Sequence, residues 1–231
     1  MNNEWPLHDT SQSKKKKVKN QEEPWMIEKR PNQVLPPKMV HELLTPEECN
    51  ELIQFFKEHP HLKGVGDGSD YTGIRFMHIH NQYFRDMIFR VIYHLVGEIR
   101  LLSGQVVWPE MISLNEWPIG GVQEPHLDTY SNQEQSAGTE TNYPARQWTT
   151  ILYLNDNYRG GRTYVPDDQV YEPVTGAGLL FQGIYIWHGV EKVRRHPRYT
   201  ISLWFSEEPS KQMPQFPVDD LNLNEDTIKL I

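Results

Sequence analysis

Four side chains in this sequence could do chemistry together. His126 and Asp128 stand two apart in Glu124-Pro125-His126-Leu127-Asp128-Thr129, and His188 and Arg198 follow. Side chains at i and i+2 of an extended strand leave the same face, so the first pair is expected to aim an imidazole and a carboxylate at one point. His188 lies about sixty positions further on, in the aromatic run Ile184-Tyr185-Ile186-Trp187-His188-Gly189, which reads as a strand. Two imidazoles and one carboxylate are the facial set that holds non-haem Fe(II) with positions left open. A His-x-Asp pair is common by chance, so the reading gains its weight from His188 and Arg198.

The surrounding elements must bring these residues together. Thr45-Pro46-Glu47-Glu48 opens a helix, with Thr45 at the N-cap, proline at the first helical position and Glu48 closing a capping box. Leu52, Ile53, Phe55 and Phe56 supply its apolar stripe. Asn81 to Leu102 carries Phe84, Ile88, Val91, Leu95 and Ile99 at helical spacing. His78-Ile79-His80, just before it, is a competing histidine pair, but no carboxylate or further histidine stands in a recognisable relation to it. Glu110 to Trp117 reads as a strand, broken by Pro118 and Gly120-Gly121, that delivers the chain to His126. Trp148 to Leu154 and Arg162 to Val165, joined through Gly160-Gly161, read as a hairpin. Leu179-Leu180-Phe181 follows as a strand. Gly64 to Gly73 reads as a loop, either a lid or a plain surface connection, and Ser131 to Asn142 as a polar loop placed to touch substrate.

The order of His126-x-Asp128, Tyr153-Leu154-Asn155-Asp156, Gly160-Gly161-Arg162-Thr163, His188 and Arg198 before Trp204 resembles the prolyl 4-hydroxylase-like Fe(II)/2-oxoglutarate dioxygenases over roughly residues 40 to 206. The resemblance implies a mainly β fold with N-terminal helices, a double-stranded β-helix of the cupin-like jelly-roll kind. It implies metal ligation by His126, Asp128 and His188, and cosubstrate contacts from Arg198, Trp117, Thr149 and Thr200. Fe(II), 2-oxoglutarate and O2 would be required, with ascorbate as reductant. Oxidative decarboxylation to succinate would accompany hydroxylation of an unactivated C–H bond, foremost a prolyl residue in a peptide or protein, with another amino acid or a small molecule as the alternative. A carboxylate at Asp128 leaves no position for halide, so hydroxylation is expected over halogenation. Two positions depart from the family: Trp117 and Gln123 stand where prolyl hydroxylases carry tyrosines, and an indole N–H donates but cannot accept.

Arg198 begins a strict alternation. Arg198, Thr200, Ser202 and Trp204 share one face and Tyr199, Ile201, Leu203 and Phe205 the other. The apolar face must pack into protein, against the N-terminal helices, which turns Arg198 into the barrel. A guanidinium there is costly unless an anion meets it. The C5 carboxylate of 2-oxoglutarate would do so in bidentate fashion, and an internal Asp or Glu is the other possible partner. A zinc hydrolase would use the three ligands but leave Arg198 without a role, and a cupin-like binding module would need no turnover.

Composition bounds the rest. The 231 residues carry 23 basic and 31 acidic side chains, net −8, and the acid is concentrated beyond residue 33. Such a body argues against nucleic-acid backbone binding. Cys49 is the single cysteine, which excludes an internal disulfide framework and points to a reducing, cytoplasmic compartment. No apolar run reaches membrane-spanning length. Residues 1–33 read as a polar tail whose Lys14-Lys15-Lys16-Lys17-Val18-Lys19 has the form of a nuclear address. Residues 34–206 read as the dioxygenase domain, and 207–231 as an acidic, proline-containing tail.

Overall fold

A computed structural model describes residues 34–65, 70–129, 143–165, 169–214 and 216. The basic tail, the Ser131–Asn142 loop, the middle of the Gly64–Gly73 segment and most of the acidic tail lie outside the described residues.

In chain order the structure runs β1 (Lys38–Val40), α1 (Pro46–Glu58), β2 (Gly64–Val65), β3 (Thr72–Arg75), α2 (Gln82–Ser103), β4 (Trp108–Trp117), β5 (Gln123–His126), β6 (Arg146–Tyr153) and β7 (Arg159–Gly160). It continues with β8 (Thr163–Val165), β9 (Gln169–Tyr171), β10 (Gly178–Phe181), β11 (His188–Val190), β12 (Val193–Arg194) and β13 (Arg198–Ser206). All pairings are antiparallel. The large sheet has the order β1-β10-β6-β13-β4-β3-β2, the smaller one β5-β11-β8-β9, and β12 pairs with β7. Two antiparallel sheets with the helices gathered on one side give the expected double-stranded β-helix.

The helices begin and end where local chemistry dictates. Thr45 N–H donates to Glu48 Oε2 at 2.9 Å and Glu48 N–H to Thr45 Oγ1 at 3.2 Å, so the capping box of α1 is complete. Asn81 caps α2, which ends at Gly104, whose φ of +74° a residue with a Cβ adopts only under strain. Leu52 and Phe56 of α1 and Ile88, Ile92, Leu95 and Ile99 of α2 form one core with Tyr199, Ile201, Leu203 and Phe205. The alternation of β13 therefore does what its pattern requires: the apolar row seals the sheet against the helices, and the Arg198 row faces the smaller sheet. Met213 and Phe216 join the same core, with Phe216 against Phe89 and Tyr93 of α2. Among the described residues no helix is long and apolar enough to cross a membrane.

Three local expectations need correction. Trp148–Leu154 and Arg162–Val165 do not form a hairpin: β6 pairs with β10 and β13 in the large sheet, whereas β8 pairs with β11 and β9 in the smaller one. Gly160 and Gly161, both with φ near +60°, bend the chain from one sheet to the other, and a Cβ on Gly160 would lie 2.2 Å from Lys192 O. Ile184–Trp187 is turn rather than strand, with the amides of Tyr185 and Ile186 both donating to Gln182 O, and the strand starts only at His188. Gly64 and Gly73, read as loop, pair with each other across β2 and β3 on the large sheet's edge.

Candidate metal centre and cosubstrate pocket

His126 ends β5 and His188 begins β11, and the two are register partners across that pair, with ring centroids 4.2 Å apart. A separation of some sixty residues is thus closed by one rung of the smaller sheet. Asp128 lies two residues past His126, beyond the end of β5 and not within a strand as expected. Leu127, buried against Ile184, anchors the bend, and Asp128 N–H donates to Gly183 O at 3.1 Å. Asp128 Oδ1 is then 4.0 Å from His126 Nε2 and 3.8 Å from His188 Nε2. One ligand atom from each of the three lies within 4.8 Å of the others, the one such group among the described residues. His78 and His80 are not part of any such group.

Hydrogen bonds behind the three decide which atoms face inward. His126 Nδ1 is 3.1 Å from Glu124 O and His188 Nδ1 is 3.0 Å from Ile186 O. A carbonyl only accepts, so each Nδ1 carries its hydrogen and each Nε2 turns a lone pair to the centre, the arrangement usual behind metal-bound histidines. Thr149 Oγ1 donates to Asp128 Oδ2, leaving Oδ1 for the centre. A Cβ on Gly183 would come within 2.1 Å of Asp128 Oδ2 and 2.4 Å of Thr149 Oγ1, so the carboxylate is seated in space that only glycine leaves. Burial, and then the charge of His188, push His126 down to about 4. Burial alone would raise Asp128, but His188, His126 and Arg146 together hold it below the usual carboxylate range. A neutral His126 imidazole beside an ionised Asp128 carboxylate is donor chemistry that suits a divalent cation.

The same pocket extends from this centre along β13 to Arg198, lined by Trp117, Thr149, Ile151, Thr163, Ser202 and Trp204. Arg198 is 1% exposed, and among the described residues no carboxylate pairs with it. Its Nη2 donates to Thr163 Oγ1 at 3.3 Å, and its Cζ lies 5.5 Å from the Trp117 ring centroid and 5.6 Å from that of Tyr153. Arg198 Nε, Trp117 Nε1 and Thr200 Oγ1 are buried without a hydrogen-bond partner. Orphaned buried donors are rare in folded proteins, and Arg198 Nε and Trp117 Nε1, whose residues both line this pocket, suit a bound anion. Thr163 was not singled out by sequence. Its Oγ1 accepts from both Tyr153 Oη, at 2.9 Å, and Arg198, so both lone pairs are used and its own hydrogen is left to donate. Thr149, by contrast, has its hydroxyl engaged on Asp128.

A second feature missed by sequence stands beside Asp128. Arg146, 5% exposed, lies between Tyr143 and Trp204, 3.7 and 4.4 Å from their ring centroids, and pairs with Glu110 at 3.4 Å. Its signal in the sequence was a charged residue three before Thr149 at the start of a strand, which reads as an ordinary solvent-facing end.

Residues 112–206, the segment holding all four singled-out residues, match the model of the 2OG-Fe(II) oxygenase superfamily. No curated protein sequence matches the chain. Among solved structures, the fold is similar to a viral collagen prolyl hydroxylase from Paramecium Bursaria Chlorella virus-1 in its 2OG complex, at 15% identity and a TM-score of 0.55 over 74% of this chain and 94% of that one. A prolyl hydroxylase from Trichoplax adhaerens bound to a hypoxia inducible factor peptide fragment gives 15% and 0.56 over 78% and 87%. HygX from Streptomyces hygroscopicus, with nickel, 2-oxoglutarate and hygromycin B, gives 11% and 0.53 over 74% and 82%. The 2OG-Fe(II) oxygenase match thus spans the residues of this site, in a fold similar to that of the prolyl hydroxylases.

Proposed function

We propose that this protein hydroxylates an unactivated C–H bond of a peptide or protein, foremost at a prolyl residue, with His126, Asp128 and His188 holding Fe(II) and Arg198 binding the distal carboxylate of 2-oxoglutarate. The observation that carries the reading is Arg198: a guanidinium buried without a carboxylate partner among the described residues, in the same pocket as the ligand set. Bound iron and 2-oxoglutarate supply the oxidising chemistry, with succinate and CO2 as the cosubstrate's products. The chain supplies ligation, orientation and exclusion of water. His126 and His188 each offer a lone pair fixed by a backbone hydrogen bond, and Thr149 and Gly183 seat the third ligand. At the far end, Arg198, the Thr163 hydroxyl, Trp117 Nε1 and Thr200 Oγ1 are donors for one carboxylate, with no acceptor needed from the indole. Pocket walls of Trp117, Ile151 and Trp204 keep water from competing for those donors.

Proline as the target is supported by the prolyl hydroxylases among the similar folds, and a peptide partner by the one bound to a peptide fragment. A small-molecule substrate is the second reading, supported by the similarity to HygX and by Gln123 where prolyl hydroxylases carry a tyrosine. Ascorbate as reductant belongs to the proposal as an expectation of the family. A mass screen of proline-containing peptides, free amino acids and small molecules, incubated with the enzyme, Fe(II) and 2-oxoglutarate, tests the assignment. A gain of one oxygen on a peptide proline, matched by succinate, is expected. Oxygen gain only on free amino acids or small molecules would overturn the peptide reading, and succinate formation from no added substrate would leave proline without support.

A further inference from the structure

Gln123 opens β5, and its backbone is fixed from several sides. Its carbonyl accepts from Tyr164 Oη at 3.4 Å, and it faces Val190 across the sheet. The contact with β11 is close enough that a Cβ on Gly189 would come within 2.7 Å of Gln123 O. From this anchored position the side chain lines the metal pocket and brings Nε2 to 3.3 Å from His126 Nε2.

The hydrogen bonds define who donates. His126 Nδ1 must carry the ring hydrogen, because Glu124 O can only accept it. The neutral ring then has a lone pair at Nε2, and Gln123 meets it with its amide N–H rather than its carbonyl. This is the lone pair assigned to the metal. The two histidines differ here, since His188 Nε2 faces Asp128 Oδ1 at 3.8 Å and has no hydrogen bond to a side-chain donor among the described residues.

We propose that Gln123 is a competing cap on His126: a positioning residue whose amide holds the Nε2 lone pair in the metal-free chain, weakens metal binding by the strength of that hydrogen bond, and turns its amide to the pocket when a divalent cation takes the lone pair. The inference rests on the proposed role of His126, Asp128 and His188 as ligands. The cap keeps the His126 lone pair aimed inward, and the amide it releases places a donor and an acceptor beside the reacting face.

The test is Mn(II) binding to the full chain, followed by the electron-paramagnetic-resonance signal of free Mn(II), for the wild type, Gln123→Leu and His126→Ala. Leucine keeps similar bulk and cannot donate. Removing one hydrogen bond of ordinary net strength predicts that Gln123→Leu binds Mn(II) about two- to tenfold more tightly. Unchanged or weaker binding by a Gln123→Leu protein with native circular dichroism overturns the cap. A second measurement needs no variant: nitrogen-15 imidazole spectra of the metal-free wild type should show His126 as the Nδ1–H tautomer, with Nε2 shifted as a hydrogen-bond acceptor. An Nε2–H tautomer there overturns the proposal independently. If the wild type binds no more Mn(II) than His126→Ala, the ligand assignment itself fails and the cap fails with it, an outcome distinct from normal wild-type binding that leucine leaves unchanged.

Discussion

Gly183→Ala puts a methyl group where the metal-facing carboxylate is seated. The added Cβ would lie 2.1 Å from Asp128 Oδ2 and 2.4 Å from Thr149 Oγ1, both closer than non-bonded atoms tolerate, and a tight 3.1 Å from Asp128 Cγ. Neither neighbour can yield cheaply. Asp128 is tied through its own amide to Gly183 O, and Thr149 sits mid-strand in β6 between β10 and β13. Relief therefore requires the carboxylate to swing off the Thr149 hydroxyl, which carries Oδ1 away from His126 and His188. Overpacking of this kind costs about 1–3 kcal/mol, a fall in melting temperature of about 3–10 °C for a domain of this size. Loss of a ligand's supporting hydrogen bond typically weakens metal binding about ten- to a hundredfold. Calorimetric Mn(II) titration and a thermal melt read both effects. The control is Gly97→Ala in α2, where the new Cβ meets nothing within 4 Å. That change should stabilise the fold by about 0.5–1 kcal/mol and leave metal affinity alone. Wild-type metal affinity and melting temperature in Gly183→Ala would refute the argument that this carboxylate depends on glycine for its seat.

Arg198→Met should weaken 2-oxoglutarate by about ten- to a hundredfold, the strength of a hydrogen bond to a charged group, with metal affinity nearly intact, and Arg198→Lys should recover only part because it lacks the planar fork. Equal loss of metal and cosubstrate, by calorimetry, would mark Arg198 as structural. Thr45→Ala removes the α1 cap and should cost about 1 kcal/mol in urea unfolding without changing metal affinity, since the box lies on the helical side of the core. Cys49 is fully buried, and burial, helped by Glu48, pushes its thiol up to about 12. Ellman's reagent should therefore leave the native chain untouched at pH 8 and titrate one thiol in denaturant.

What could be read from sequence was whatever local chemistry decides. Thr45 and Glu48 announce a capping box by spacing alone, and β13 declares its two faces by alternation, from which the burial of Arg198 follows. The ligand set was legible for a different reason: His126, Asp128 and His188 are residue types that gain meaning only in combination, and their order along the chain resembles a family. Features that depend on tertiary approach were not legible. Trp148–Leu154 and Arg162–Val165 look like a hairpin because sequence distance is short, whereas a jelly roll sends neighbouring strands to opposite sheets. Gly183 reads as a turn glycine until Asp128 is seen against it. Thr163 and Arg146 acquire their roles from partners 10 to 58 positions away, Tyr153, Arg198, Glu110 and Trp204 among them. The Ile184–Trp187 run has the aromatic composition of a strand, yet the chain turns through those residues so that His188 can start β11 opposite His126.

The central claim is that one pocket holds Fe(II) at His126, Asp128 and His188 and 2-oxoglutarate between that centre and Arg198. The most direct test is anaerobic titration of the protein with Fe(II) and 2-oxoglutarate under visible spectroscopy. A metal-to-ligand charge-transfer band that saturates at one equivalent of each, disappears in His188→Ala and shifts to much higher 2-oxoglutarate concentration in Arg198→Met is the predicted result. A wild-type protein that binds Fe(II) yet develops no such band with 2-oxoglutarate, or a band that survives in His188→Ala, would contradict it.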